Sequence, residues 1–225
     1  MDKLPNQIPL FPLTGAILLP KGHLPLNIFE PRYKDMVEHS RRGAGIIGMI
    51  QPAATDMSKT TDGNDLFGTA ERGRPLYNIG CAGQISTYEE TPEGQYYIVL
   101  TGVKRFNIVE EVSMKNGFRE ALVDYTDYSN DGSGILTNPK PSKEHFLKTF
   151  KNYVSNLNLR IDFNAFEDIE DEELVNWTAM ICPFDAAEKQ LLIECPSITD
   201  RLCLMDKLIT LNASGHNMSA KKNIH

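Results

Sequence analysis

The chain has little of several things, and each shortage narrows what it can be. It has one tryptophan and four cysteines in 225 residues. Cys81, Cys182, Cys195 and Cys203 form no C-x-x-C pair, and three of them fall on expected helices among apolar neighbours, so they are read as buried free thiols. Lys and Arg together number 23 against 30 Asp and Glu, which leaves a net charge of −7 and a pI near 5.3. That balance disfavours nucleic acid as a partner, because affinity for phosphate comes mainly from Lys and Arg. No apolar run approaches the ~18 residues that cross a bilayer, and the N-terminal MDKLPNQ has neither the basic start nor the apolar stretch of a secretory signal. The expected location is therefore the cytoplasm, with no membrane partner.

Catalytic motifs are also missing. There is no G-x-x-x-x-G-K-[ST], no G-x-S-x-G, no S-x-x-K and no H-E-x-x-H. His23, His39, His145, His216 and His225 are scattered, so no metal site and no cofactor is expected. Gly43-Ala44-Gly45-Ile46-Ile47-Gly48 spells G-x-G-x-x-G, but these glycines follow an expected helix and enter a strand. A dinucleotide site needs the reverse order, with the helix N-terminus facing the pyrophosphate. The acidic runs at Glu89-Glu90, Glu110-Glu111 and 167–173 read as strand ends and a solvated helix start, and the basic pairs Arg41-Arg42 and Lys104-Arg105 as solvated surface. No catalytic residue is expected.

What is present is an unusual opening run, IPLFPLTGAILLPKGHLPLNIFEPRY at 8–33. It is apolar yet carries Pro9, Pro12, Pro20, Pro25 and Pro31, which excludes a long buried helix. Short extended pieces and then a helix from Pro31 to about Arg41 are expected, with Tyr33, Met36, Val37 and Ser40 on one face. A buried strand follows at 43–51 and a polar loop at 52–66. Residues 79–112 read as IGCAGQISTYEE, a TPEG turn, QYYIVLTG and a separate third strand KRFNIVEEV, with another strand in 118–128. The segment 129–141 reads as a linker.

After residue 142 the signals become helical. Ser142 caps a helix to about Leu157. A second helix spans 171–182, with Leu174, Trp177, Thr178 and Ile181 as its buried stripe. Asp185 and Glu188 have capping-box spacing for a third, Ser197 and Asp200 repeat that signal for a fourth, and polar residues 215–225 read as a disordered tail. Strands first and helices afterwards argue for an α+β protein.

Four segments together carry a resemblance: residues 8–37, GIIGMIQP at 45–52, LFGTA with 78–111, and FREALVDY at 118–125. They resemble the substrate-binding N-terminal domain of the ATP-dependent Lon proteases, and in particular its stand-alone bacterial form, whose helical part 174–202 is also similar. The resemblance implies a PUA-like β pseudo-barrel in residues 1–128, a linker at 129–141 and a helical bundle in 142–214. It implies a non-enzymatic module that recognises unfolded or extended polypeptide, or a protease or chaperone partner, without the ATPase and Ser-Lys protease modules of the full enzyme. An RNA-binding role implied by the PUA-like fold and an unrecognised small-molecule hydrolase are the alternatives. Asn27, Glu30, Arg32 and Gln51 are the polar members of the best-matching motifs and are expected to line or shape the polypeptide-binding surface, or else to pin chain turns and the first helix. A groove between barrel and bundle would be a natural place for a ligand. Phe29, Tyr33 and Met49 are expected in the core.

Overall fold

The structure is a computed structural model and describes residues 3–53, 74–115, 117–132, 134, 136, 141–157, 161, 163–166 and 169–222. It is a mixed α+β protein, with one six-stranded sheet and five α-helices among the described residues. The chain divides into two compact units, Met1–Gly132 and Ser133–His225.

The first unit holds all six strands. They are β1 (Gln7–Pro12), β2 (His23–Ile28), β3 (Ile46–Ile50), β4 (Ile79–Glu90), β5 (Tyr96–Lys115) and β6 (Phe118–Asp124), with helix α1 (Pro31–Arg42) between β2 and β3. The order is β2-β5-β4-β3-β1-β6, and β6 pairs again with β5. Five strands therefore form a hydrogen-bonded cycle, and β2 is appended to β5. Only β1 and β3 run parallel. Both are short and continuously buried from Ile8 to Pro12 and from Ile46 to Ile50. One of their faces joins an apolar core of Ile8, Leu10, Ile46, Ile50, Ala82, Phe106, Ala121 and Val123. On the other face Phe11 meets Tyr33 of α1, with ring centroids 4.4 Å apart. The expected face of α1 is the buried one: Tyr33, Met36, Val37 and Ser40. Met49 is buried as expected.

Two expectations in this unit change. QYYIVLTG and KRFNIVEEV are one strand of 20 residues, not two. Gly102, at the end of QYYIVLTG, lies within this strand, and its role is close approach. A Cβ there would run into the Leu19 carbonyl, and Gly102 exchanges backbone hydrogen bonds with the Lys21-Gly22 turn. Arg105 is not solvated either, being 3% exposed. Its Nε and Nη2 donate to Asp131 at 2.7–3.2 Å, and its guanidinium lies 4.4 Å from the Tyr128 ring. The expected loop at 52–66 lies, from residue 54 on, outside the described residues.

The second unit contains α2 (Lys143–Asn156), α3 (Asp171–Ile181), α4 (Ala186–Glu194) and α5 (Ile198–Lys222), with α5 in contact with the other three. Ser142 caps α2 by accepting from the His145 N–H at 3.3 Å. The capping box at Asp185 and Glu188 is formed. Phe150, Phe163, Phe166 and Trp177 make an aromatic cluster. The stripe of α3 is rotated from expectation. Val175, Asn176 and Ala179 are buried beside Leu174 and Thr178, whereas Ile181 is 40% exposed.

The reason is a polar centre. Arg201 of α5 is 1% exposed and donates from Nη1 to Asn176 Oδ1 (2.6 Å) and from Nε to the Leu192 carbonyl (2.8 Å). That pairing draws Asn176 inward. Glu172 is buried as well, accepting the Gly134 N–H at 3.0 Å, so the acidic start of α3 is not wholly solvated. The backbone of α5 stays helical to Lys222, into the polar segment 215–225 read as a tail, whose last three residues lie outside the described ones. Ser, Ala, Met and Lys there tolerate helix, and one glycine inside a helix costs only about 1 kcal/mol.

Candidate functional site

Three adjacent strands, β2, β5 and β4, present one outer face. Residues directly opposite in a sheet share a side. The register sets His23 beside Thr101, Pro25 beside Val99 and Asn27 beside Tyr97. Across the next pairing, Thr87 sits beside Val99 and Glu89 beside Tyr97. Leu26, Ile28, Ile98 and Leu100 alternate with these residues and are buried, so they occupy the opposite, inner side. Outside, His23, Pro25, Asn27 and Glu89 are exposed, and Tyr97, Val99 and Thr87 are half-buried. The face is thus a small apolar strip, Pro25, Val99 and the Tyr97 ring, bordered by Asn27, His23 and Glu89. Glu93, exposed in the hairpin turn, follows and makes the border acidic, whereas Glu90 lies opposite Tyr96 and faces the other side.

Pro25 also shapes the open edge of β2. Its nitrogen carries no proton, so in a paired strand its backbone nitrogen faces away from β5. By alternation the backbone groups of His23 and Asn27 face that way too. A strand added here would meet a missing donor in the middle, which blunts the edge against sheet extension. Just past β2, Phe29 is 64% exposed and not in the core, because the chain turns outward there to start α1 at Pro31.

The four polar residues singled out from the sequence fall in three places. Asn27 is exposed on the outer face. Glu30 and Arg32 come together at the start of α1, with Arg32 Nε and Nη2 each 2.8 Å from Glu30 Oε2. The Arg32 guanidinium also stacks 4.5 Å from the Tyr33 ring centre. Gln51 is 1% exposed, and its Oε1 accepts the Gly15 N–H at 2.9 Å.

A second feature, absent from the sequence reading, lies where the end of α1 meets β4. A shallow polar cleft of about 340 Å³ is lined by Arg41, Gly43, Ala44, Gly45 and the β4 residues from Gln84 to Tyr88. The Arg41 guanidinium lies flat on the Tyr88 ring at 3.5 Å and pairs with Glu38 at 2.9 Å. Burial, and next the Tyr96 hydroxyl beside it, push the Tyr88 phenol up to about 12, so it stays protonated at neutral pH. The glycines of the G-x-G-x-x-G string serve this turn. Gly45 has φ +69, and Gly48 leaves room for Leu10 and Ile8. The outer face depends on the register of β2 on β5 and the cleft on the approach of α1 to β4, and neither is visible in one segment's sequence.

Nothing in these sites assembles a nucleophile, base and oxyanion donor. Among the described residues no group of three or more His, Cys, Asp or Glu side chains could hold a metal ion, and no helix is long and apolar enough to cross a membrane.

Comparison with known proteins bears on the fold and the family. Two solved structures share the fold. One is a Lon N-terminal domain protein from Xanthomonas campestris, with TM-score 0.61 and 18% identity over 88% of this chain and 96% of that one. The other is the N-terminal domain of a Mycobacterium avium complex Lon protease, with TM-score 0.60 and 15% identity over 91% and 98%. Among curated relatives, the Lon protease of Flavobacterium johnsoniae is 23% identical over 99% of this chain, and that of Malacoplasma penetrans 27% identical over 78%. The chain spans only 26% and 23% of those two proteins. The family model for the ATP-dependent protease La (LON) substrate-binding domain matches residues 7–210, and the chain belongs to that family.

Proposed function

We propose that this chain is a non-enzymatic polypeptide-binding module and that the outer face of β2, β5 and β4 is where an extended or unfolded segment lies. The observation that carries this reading is the uncovered strip of Pro25, Val99 and Tyr97 with Asn27 beside it. Apolar side chains of a bound segment would cover the strip, and its backbone would hydrogen-bond to Asn27. Binding runs through side-chain contacts, since Pro25 opposes strand addition. The acidic border of Glu89 and Glu93 favours segments that mix aromatic and basic residues.

Asn27 touches the ligand directly in this proposal. Glu30, Arg32 and Gln51 shape the surface from behind, the first two by fixing the start of α1 and the third by fixing the Thr14-Gly15 turn. The closed cycle of five strands supports a PUA-like pseudo-barrel for the first unit, and the packing of α2, α3 and α4 on α5 supports a helical bundle for the second. A protease or chaperone partner in the cytoplasm fits the family to which the chain belongs.

The test is fluorescence anisotropy with a labelled peptide of alternating phenylalanine and lysine. The unaltered chain should bind it. Val99→Asp should weaken binding by about tenfold or more, the worth of about 1.4 kcal/mol, and Asn27→Ala by less. Both variants should keep the far-UV circular dichroism of the parent. Equal affinity in both, with folding intact, would remove this face from consideration.

A further inference from the structure

One hydrogen-bond chain crosses the outer face from β4 through β5 to β2. Ser86 Oγ is 3.1 Å from the Val99 carbonyl oxygen, Thr101 Oγ1 is 3.0 Å from Ser86 Oγ, and His23 Nδ1 is 3.0 Å from Thr101 Oγ1. Its direction is forced from one end. A carbonyl oxygen can only accept, so Ser86 must donate its single hydroxyl proton to Val99. Ser86 then has only lone pairs to offer, and Thr101 must donate to it. Thr101 in turn can only accept from the imidazole, so the proton between them sits on His23 Nδ1. The β4 bulge makes this possible. The register shifts between Ile85 and Thr87, which turns Ser86 out of the regular alternation and toward Thr101.

We infer that neutral His23 is held in its Nδ1–H tautomer and presents its Nε2 lone pair as an oriented acceptor for an N–H donor of the bound polypeptide. A neutral imidazole has one donor and one acceptor nitrogen, and fixing the first fixes the second. His23 is exposed, and its Nε2 has no partner among the described residues. It stands two residues before Pro25 on the same side of β2, at the end of the apolar strip. Asn27, two residues after Pro25, supplies an amide that both donates and accepts. The strip is therefore bracketed by an oriented acceptor at one end and an amide at the other, so the two side chains can hold the backbone of an extended segment whose apolar side chains cover the strip. This role rests on the polypeptide reading above and adds a positioning device to it, with Ser86 and Thr101 acting through His23.

The experiment has two arms on the full chain, both well above the ordinary histidine pKa of about 6.5. In the first, long-range proton–nitrogen correlation spectra of ¹⁵N-labelled protein report which ring nitrogen of each histidine carries the proton, and the His23→Phe spectrum identifies the His23 signals. His23 should show a protonated Nδ1 and a bare Nε2. Ser86→Ala frees Thr101 to donate to Nδ1, so the His23 signals should move to the Nε2–H pattern while the other histidines stay put. A bare Nδ1 in the parent, or no change in Ser86→Ala, overturns the tautomer assignment.

In the second arm, the alternating phenylalanine–lysine peptide is titrated into the parent, His23→Phe and Ser86→Ala. Loss of one hydrogen bond should weaken binding by about fivefold in each. Unchanged affinity with an altered tautomer overturns the acceptor role alone. Failure of the parent to bind overturns the polypeptide reading and the acceptor role with it, while the spectra still decide the tautomer.

Discussion

The two units bury polar groups in opposite ways. In the first, strands pair across long stretches of chain around an apolar cluster, and its buried charges sit at the margins: Arg105 with Asp131, and Glu120 with Gln7 and His39. In the second, Arg201, Asn176, Gln190, Lys189 and Glu172 are buried among the helices themselves. A sheet satisfies its own backbone and leaves little for side chains to do inside. Short helices expose unpaired carbonyls at their ends, and buried cations can serve them. Arg201 reaches the Leu192 carbonyl near the end of α4, and Lys189 Nζ donates to the Met180 carbonyl near the end of α3 at 2.9 Å. The difference predicts that charge removal should harm the first unit only at its rim and the second at its centre.

The sharpest test in the first unit is Asp131→Ala. It strands the Arg105 guanidinium in a buried site, which typically costs about 3–5 kcal/mol. Urea denaturation followed by far-UV circular dichroism should show that loss. Replacing both partners, Arg105→Met with Asp131→Leu, should recover most of it, because an apolar pair of similar size pays no desolvation penalty. Equal instability in the single and double variants would mean that the pair's hydrogen bonds, including the one the Arg105 N–H donates to Asp131 Oδ2 at 3.0 Å, matter more than its charge.

In the second unit the counterpart is Arg201→Met, which leaves Asn176 Oδ1 and the Leu192 carbonyl without their donor. Charge-assisted hydrogen bonds are each worth about 1.5–3 kcal/mol, and a loss of about 3 kcal/mol is expected. The chain's single tryptophan makes this measurable by itself. Trp177 lies in α3 with its ring 5.0 Å from Phe166, so its fluorescence reports on the second unit. The Trp177 transition should move in Arg201→Met and stay in Asp131→Ala. Joint movement in both variants would show that the units unfold together and would dissolve the comparison.

The same contrast explains what could be read from the sequence. Proline spacing, the TPEG turn and the face of α1 gave the strands and the first helix, because these are local signals with periods of two or 3.6 residues. Cap residues Ser142 and Asp185 marked helix starts for the same reason. What escaped was long-range. Arg105 finds its partner 26 residues away, and in sequence it looks like Lys104, its solvated neighbour. The place of Gly102 inside one long strand escaped too, because the Leu19 carbonyl that needs the space is remote in the chain. Asn27 was noticed as polar, but that it shares a face with Tyr97 and Pro25 is a matter of strand register. Ile181 fitted the apolar stripe of α3, and only Arg201 drawing Asn176 inward rotates that stripe.

A smaller effect is the response of the second unit to pH. Burial pushes the Cys182 thiol from 9.0 up to about 12, and burial likewise takes the Tyr153 phenol from 10.0 to about 12. Both belong to the second unit. A raised folded pKa means that the folded state keeps a proton the unfolded chain loses. Stability from Cys182 is therefore complete below pH 9.0 and is lost as the pH rises toward about 12, and that from Tyr153 follows from 10.0 upward. Burial lowers the Lys189 pKa, which has the opposite sign: its contribution improves as the pH rises through the lowered value toward 10.5. It offsets the other two only in part, since it is complete once the unfolded lysine has also lost its proton. Cys182→Ala removes the earliest loss and leaves Tyr153. In alkaline titrations read by Trp177 fluorescence, the onset of destabilisation should move from near pH 9 to near pH 10, about one unit. An onset that does not move would place the alkaline weakness outside the Cys182 site, and Lys189, whose contribution has the opposite sign, could not supply it.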